Sequence, residues 1–139
     1  MAVERTLVLV KPDGVRRGLV GEVVGRFERK GLRIAGLKML RLSRETAGRH
    51  YAVHKEKPFY GDLIDFITSG PLAAMVLEGP DAVALARKVM GATRPTDADP
   101  GSIRGDFATE VTENLVHGSD GLDTAAYEIP IYFEEGELV

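Results

Sequence analysis

Apolar and polar positions change period repeatedly along this chain, and the changes mark out its elements. Arg5–Val10 is β-rich and continuously apolar toward its end, which predicts a buried strand. Lys11-Pro12-Asp13-Gly14 ends it with strong turn chemistry and leaves Lys11 at the strand's exit. Val20, Val23, Val24 and Phe27 then fall at i, i+3, i+4 and i+7, the stripe of an amphipathic helix stopped by Gly31. Arg33–Leu42 reads as a second strand, Ser43 as the cap of a short helix through Tyr51, and Tyr60–Ser69 as another helix ended by Gly70-Pro71. Leu72–Leu77 is a third strand. Pro80-Asp81 opens a helix with Ala82, Leu85, Ala86 and Val89 as its buried stripe and Gly91 as its end, and Arg87 falls beside that stripe.

From Ala92 to Glu113 neither period holds, and Pro95, Pro100, Gly101 and Gly105 punctuate the segment. Long loops without structure of their own are disordered or functional; Ile103 and Phe107 supply apolar anchors a linker does not need, so this one reads as an ordered binding loop. A short strand through Leu115 and Val116 follows, then a helix begun near Ser119 or Asp120 that Pro130 ends or kinks. The order strand, helix, strand, helices, strand, helix, strand predicts an α+β sandwich, a sheet covered by helices on one side, in one domain spanning residues 1–139.

Composition narrows the classes. A chain of 139 residues buries roughly two thirds of the surface its unfolded form exposes and needs no disulfide staple. With no cysteine there is no disulfide framework, which fits a reducing compartment. The run Leu7–Val10 is too short for a signal peptide or a membrane span, and the expectation is a soluble cytoplasmic protein. The net charge of −3 is unevenly spread: 14 basic against 6 acidic residues through Lys57, then 4 against 15. The early basic residues are scattered among apolar positions without aromatic interleaving, so specific nucleic-acid binding is not expected. The scarce later cations Arg87, Lys88, Arg94 and Arg104 flank the long loop instead, and cations concentrated in an acidic region point to a specific anion.

Several motifs fail for lack of context. Gly18, Gly21 and Gly25 have neither a preceding strand nor a Gly-Lys-Ser/Thr ending, and read as aids to close helix packing. His50 and His54 have the i, i+4 spacing of helical metal ligands but no further ligand nearby in sequence. Arg104-Gly105-Asp106 spells an adhesion tripeptide that means nothing in a chain without an export signal. What remains is His117, in the run Asn114-Leu115-Val116-His117-Gly118-Ser119-Asp120. A neutral imidazole attacks an electrophile without an activating base, though a hydrogen-bonded structural histidine at a strand end has the same letters. Lys11, Arg87 and Arg104 are individually compatible with surface charges. Taken with His117 they suit phosphoryl transfer, whose barrier is lowered by positioned cations worth roughly 4 kcal/mol each at about 4 Å and an effective dielectric near 20.

Beyond pattern, the chain resembles the nucleoside diphosphate kinase family. The resemblance rests on Thr6–Gly14, Arg16–Glu22, Ser69-Gly70-Pro71, Pro100–Phe107 and Asn114–Asp120, in the family's order and spacing. With Val139 following soon after Phe133, it is to the bacterial-type members with a short C-terminus. The resemblance implies a ferredoxin-like α/β sandwich with an antiparallel sheet, and transfer of the terminal phosphate of a nucleoside triphosphate to a diphosphate, ping-pong, through a phosphohistidine at His117. It implies that Glu128 and Ser119 orient that imidazole, and that Lys11, Tyr51, Arg87, Thr93 and Arg104 contact the phosphates. Asn114 and Lys11 would hold the ribose, and the base would stack on Phe59 with Val111 on its other side, giving broad base tolerance. Mg²⁺ is expected to arrive with the phosphates, with Asp120 reaching it through water rather than as a direct ligand. A homo-oligomer is implied, a hexamer rather than a tetramer, because the loop with Pro95 and Pro100 resembles that used at hexamer contacts. A member that had lost catalysis is disfavoured by the presence of His117, Arg87, Arg104, Lys11 and Asn114 together.

Overall fold

The structure is a computed structural model that describes residues 2–139. Four strands, β1 (Val3–Val10), β2 (Arg33–Leu40), β3 (Leu72–Pro80) and β4 (Val116–Gly118), form one sheet in the order β2-β3-β1-β4 with every pairing antiparallel. The helices are α1 (Pro12–Arg16), α2 (Val20–Lys30), α3 (Arg44–His50), α4 (Tyr60–Ile67), α5 (Ala82–Met90), α6 (Ile103–Phe107) and α7 (Leu122–Tyr132). This is the ferredoxin-like α+β sandwich expected from the sequence.

The sheet is covered on both faces, not one. Val8, Val10, Met75 and Leu77 pack against Val23 and Phe27 of α2 and Ala86 and Met90 of α5. Leu7, Leu9, Ala74 and Val76 pack on the other side against Ala47 of α3, Ile64 and Ile67 of α4, and Tyr132 of α7. The physical reason is visible in the strands themselves: the unbroken apolar runs Leu7–Val10 and Leu72–Leu77 put hydrophobic side chains on both faces of a period-two element, and both must be buried.

Other boundaries differ for local reasons. Lys11-Pro12-Asp13-Gly14 is not a turn but the entry to α1, since a proline at the first helical position loses no hydrogen bond. Gly18, with φ 71, follows that helix, and Cβ atoms built at Gly21 and Gly25 would meet open space and only the helix's own Arg29, so these glycines do not serve helix packing. The Ala92–Glu113 segment is ordered, yet it holds a 3₁₀ turn at Pro95–Asp97 and the helix α6, capped by the Ser102 hydroxyl on the Gly105 N–H at 3.0 Å. Helix α7 starts at Leu122, later than expected, because the Ser119 hydroxyl is engaged elsewhere, and it runs past Pro130 to Tyr132. Among the described residues no helix is long and apolar enough to cross a membrane.

Candidate active site

Strand alternation places the imidazole. In β4, Val116 and Gly118 point to the α2/α5 face, where a Cβ on Gly118 would run into the end of the Met90 side chain, so a larger residue there would have to displace it. His117, opposite Leu9, therefore faces the α3/α7 side. The approach to β4 is fixed by Leu115, which takes φ 77, a costly conformation for a branched side chain. It is held there by the Lys11 N–H donating to Leu115 O at 2.8 Å and the Leu115 N–H donating to buried Asp13 Oδ2 at 3.0 Å.

Behind His117, α7 supplies Glu128, whose carboxylate oxygens lie 3.1 and 3.2 Å from His117 Nε2. The Ser119 hydroxyl donates to Glu128 Oε1 at 2.7 Å. Burial pushes the Glu128 carboxyl up, but the hydrogen bonds and charge of His117, the Ser119 bond and His50 outweigh it and hold the group below its ordinary value. His117 Nδ1 has no protein partner among the described residues.

In front of the imidazole opens a cavity of about 750 Å³, lined by His117 and by Lys11, Tyr51, Phe59, Arg87, Thr93, Arg104, Val111, Asn114 and Asp120. Every side chain expected to bind nucleotide is thus brought to one wall or another of a single space, while Glu128 and Ser119 stand behind the ring, outside it. Phe59 and Val111 are 45% and 52% exposed, two apolar surfaces left open at the mouth. Lys11 Nζ donates to Asn114 Oδ1 at 2.5 Å and to Thr112 O at 3.3 Å; Asn114 Nδ2 donates to Thr93 O at 3.1 Å. Arg104 is buried and donates to Gly91 O at 2.9 Å, Val116 O at 2.7 Å and Asn114 O at 3.3 Å, so it ties the long segment to β4 while lining the cavity. Arg87 is more open and pairs with exposed Asp120 at 3.0 Å.

These cations crowd one another. Burial brings the Lys11 ammonium down to about 8, with Asp13 opposing and Arg104 adding to the push. Burial and the charge of Arg87 bring the Arg104 guanidinium down to about 10. Positive groups that depress one another around a cavity are arranged for a polyanion that would relieve the repulsion.

The family model for nucleoside diphosphate kinase matches residues 4–138. The chain belongs to the nucleoside diphosphate kinase family. The nucleoside diphosphate kinase of Thermus thermophilus is 63% identical over 136 residues, covering 98% of this chain and 99% of that one. That of Prochlorococcus marinus is 61% identical over 138 residues, 99% of this chain and 91% of the relative. Among solved structures, the halophilic nucleoside diphosphate kinase of Halobacterium salinarum in complex with CDP superposes with a TM-score of 0.96 at 51% identity, covering 99% of this chain and 92% of that one. The Aquifex aeolicus nucleoside diphosphate kinase has a TM-score of 0.96 at 43% identity, with 99% and 100% covered. The protein is an enzyme with nucleoside diphosphate kinase activity, a nucleotide-binding phosphotransferase.

The structure also brings residues to this kinase's site that sequence reasoning passed over. His50, discounted because its only near neighbour in sequence was His54, packs edge-on against His117 with ring centroids 4.6 Å apart. Its Nδ1 lies 3.1 Å from the Tyr132 hydroxyl, and burial, then the charge of His117, push it down to about 3. Tyr51 is raised to about 12, chiefly by burial and then by the Glu128 charge. His54 lines the cavity with a buried Nδ1 that has no partner among the described residues. The i, i+4 spacing of His50 and His54 does not point to His117, and Tyr132 has no local signal: both meet His117 only because α3, α7 and β4 converge.

Proposed function

We propose that this enzyme transfers phosphate in two half-reactions through His117 Nδ1. The observation that carries the reading is an imidazole gripped by Glu128 at Nε2 and standing at a cavity where Lys11, Arg87 and Arg104 converge. With Nε2–H donated to Glu128, the free lone pair lies on Nδ1. The Nδ1–phosphorus bond forms as the bond from the terminal phosphorus to its bridging oxygen breaks, and the departing nucleoside diphosphate keeps that electron pair. The ring becomes cationic, its proton stays on Nε2, and the Glu128 carboxylate 3.1 Å away stabilises it. A terminal phosphate oxygen of the acceptor diphosphate then attacks the phosphorus and returns the electron pair to Nδ1.

Lys11, Arg87 and Arg104 hold the phosphates, with Tyr51 and Thr93 beside them; Asn114 and Lys11, already bonded to each other, hold the ribose. The base lies between exposed Phe59 and Val111, and stacking on an aromatic face makes little demand on base edges, hence broad base tolerance. The CDP carried by the halophilic relative is a nucleotide of this class. Asp120, an exposed hard-oxygen donor on the cavity wall, fits Mg²⁺ at one remove, through water. Bound with the nucleotide, the ion would supply positive charge that offsets the phosphates' own, and Asp120 is the residue that would hold it through water.

The enzyme works as a homo-oligomer, a hexamer rather than a tetramer, in the cytoplasm. Supporting assembly, edge strand β2 presents Leu37 and Met39, 51% and 53% exposed, on a sheet edge that invites a second copy. Supporting the compartment, the chain has no cysteine.

Brief incubation with ATP and Mg²⁺, read by intact-protein mass spectrometry, is expected to add one acid-labile phosphoryl group that His117→Ala abolishes. Folded wild type that stays unmodified overturns the reading.

A further inference from the structure

Catalysis accounts for Glu128 against His117, but not for the second imidazole aimed at the same carboxylate. His50 Nε2 lies 3.9 Å from Glu128 Oε2, too far for a hydrogen bond, on the side away from Tyr132. One ring nitrogen from each of His50 and His117 and one Glu128 oxygen all lie within 4.8 Å of one another. The three side chains come from α3, β4 and α7, and His50 and Glu128 are buried.

We propose that His50 Nε2, His117 Nε2 and Glu128 form a second metal site, separate from the Mg²⁺ that accompanies nucleotide, which takes a borderline divalent ion of the Zn²⁺ type and switches the nucleophile off. Ligands about 2.0–2.2 Å from a tetrahedral Zn²⁺ stand about 3.3–3.5 Å apart, and the 3.1 and 3.9 Å contacts to Glu128 bracket that spacing. Two nitrogens and one carboxylate oxygen are a Zn²⁺ set rather than a Mg²⁺ set, since Mg²⁺ demands octahedral oxygen. The supporting hydrogen bonds such sites require are present: the Tyr132 hydroxyl at 3.1 Å from His50 Nδ1, and the Ser119 hydroxyl on Glu128 at 2.7 Å. A water or a cavity ligand completes four-coordination on the His117 side.

The consequence is a matter of tautomers, and it rests on the Nδ1 reading above. A neutral imidazole bound to metal through Nε2 carries its proton on Nδ1. The lone pair that would attack phosphorus is then occupied by hydrogen, and the Glu128 carboxylate is drawn to the ion. In His50 the same shift turns Nδ1 into a donor to the Tyr132 oxygen. Both rings exchange tautomer, and no net proton is released.

The test uses the full chain stripped with chelator, with Co²⁺ as spectroscopic probe and no nucleotide. Wild type is expected to bind one Co²⁺ per chain with the intense visible bands of four-coordinate cobalt, displaced by Zn²⁺. Glu128→Gln and His50→Gln are expected to lose those bands, Tyr132→Phe to bind about tenfold more weakly, and Asp120→Asn and His54→Gln to bind as wild type. Each variant's thermal unfolding is recorded alongside, and Tyr132→Phe, which removes one oxygen, serves if His50→Gln does not fold. No uptake by wild type at tens of micromolar Co²⁺, or undiminished binding by folded His50→Gln or Tyr132→Phe, overturns the site whether or not His117 accepts phosphate. Protein phosphorylated beforehand is expected to bind Co²⁺ at least tenfold more weakly; equal binding overturns the switch.

Discussion

The Glu128 carboxylate holds His117 by the Nε2 edge, at 3.1 and 3.2 Å, and is itself held by the Ser119 hydroxyl at 2.7 Å. A buried anion on one nitrogen selects the tautomer and, in the phosphohistidine route proposed above, would offset the charge the ring acquires when the other nitrogen takes the phosphoryl group. Glu128→Gln keeps the shape and removes the charge. The expected result is a loss on the order of a hundredfold in the rate of phosphoenzyme formation, about 2.7 kcal/mol at 1.36 kcal/mol per decade. The KM for nucleoside triphosphate should hardly move, because Glu128 does not line the cavity. Rapid-quench measurement checks both, and a rate within threefold of wild type removes the argument.

The same contact sets a pH signature for stability. The Glu128 carboxyl is held below its ordinary value of 4.5, so the folded state favours the ionised form. Its contribution is fully present above the unfolded chain's value and is lost as pH falls through the folded one. Urea midpoints of wild type and Glu128→Gln should therefore differ most at neutral pH and converge in acid below pH 4.5. A gap that widens in acid contradicts this assignment.

Lys11 carries a second signature. Its ammonium, brought down to about 8 chiefly by burial, is partly discharged in the free protein at pH 8. A polyphosphate restores the charge, so nucleotide binding at that pH should take up protons, and affinity should fall as pH rises further. In the free protein the sign for stability is opposite: between about 8 and 10.5 the unfolded chain holds a proton that the folded one has released, so stability gains with pH there. Calorimetry in buffers of differing ionisation enthalpy reads the uptake, and Lys11→Met should abolish it.

The open pair at the cavity mouth is expected to act on all bases alike. Phe59→Ala should weaken nucleotide binding by about 1–3 kcal/mol, with the ratio between purine and pyrimidine substrates changing far less than either affinity. Equilibrium binding of two adenine and two cytosine nucleotides tests it; a loss confined to one base would mean recognition of base edges.

Much of this was legible in the sequence because it is local or periodic. The strands, the main helices and the run around His117 follow from period, caps and turn residues. The two-sided burial of the sheet was equally present, in Leu7–Val10 and Leu72–Leu77, whose unbroken hydrophobicity has no other use in a strand. What was hidden depends on convergence. His50 and Tyr132 lie 82 positions apart and meet at 3.1 Å; neither carries a local signature of the site. The choice between the two ring nitrogens of His117 likewise depends on where α7 delivers Glu128, which no spacing encodes. The start of α7 at Leu122 is hidden for a related reason: Ser119 has the chemistry of a cap, but Glu128 takes its hydroxyl.

Arg104 joins scaffold and site, so two substitutions should separate its roles. Its guanidinium satisfies three backbone carbonyls, Gly91 O, Val116 O and Asn114 O, from a buried position. Lysine restores the charge but not the planar fork that reaches three directions. Arg104→Lys should therefore retain part of the phosphate affinity while losing about 2–3 kcal/mol of stability, since buried acceptors are left unpaired. Arg104→Met should lose a comparable stability and nearly all of the affinity owed to the charge. Urea unfolding combined with nucleotide dissociation constants reads the two effects independently. If Arg104→Lys is as stable as wild type, the three carbonyl contacts do not hold the long segment against β4, and another link must fix it there.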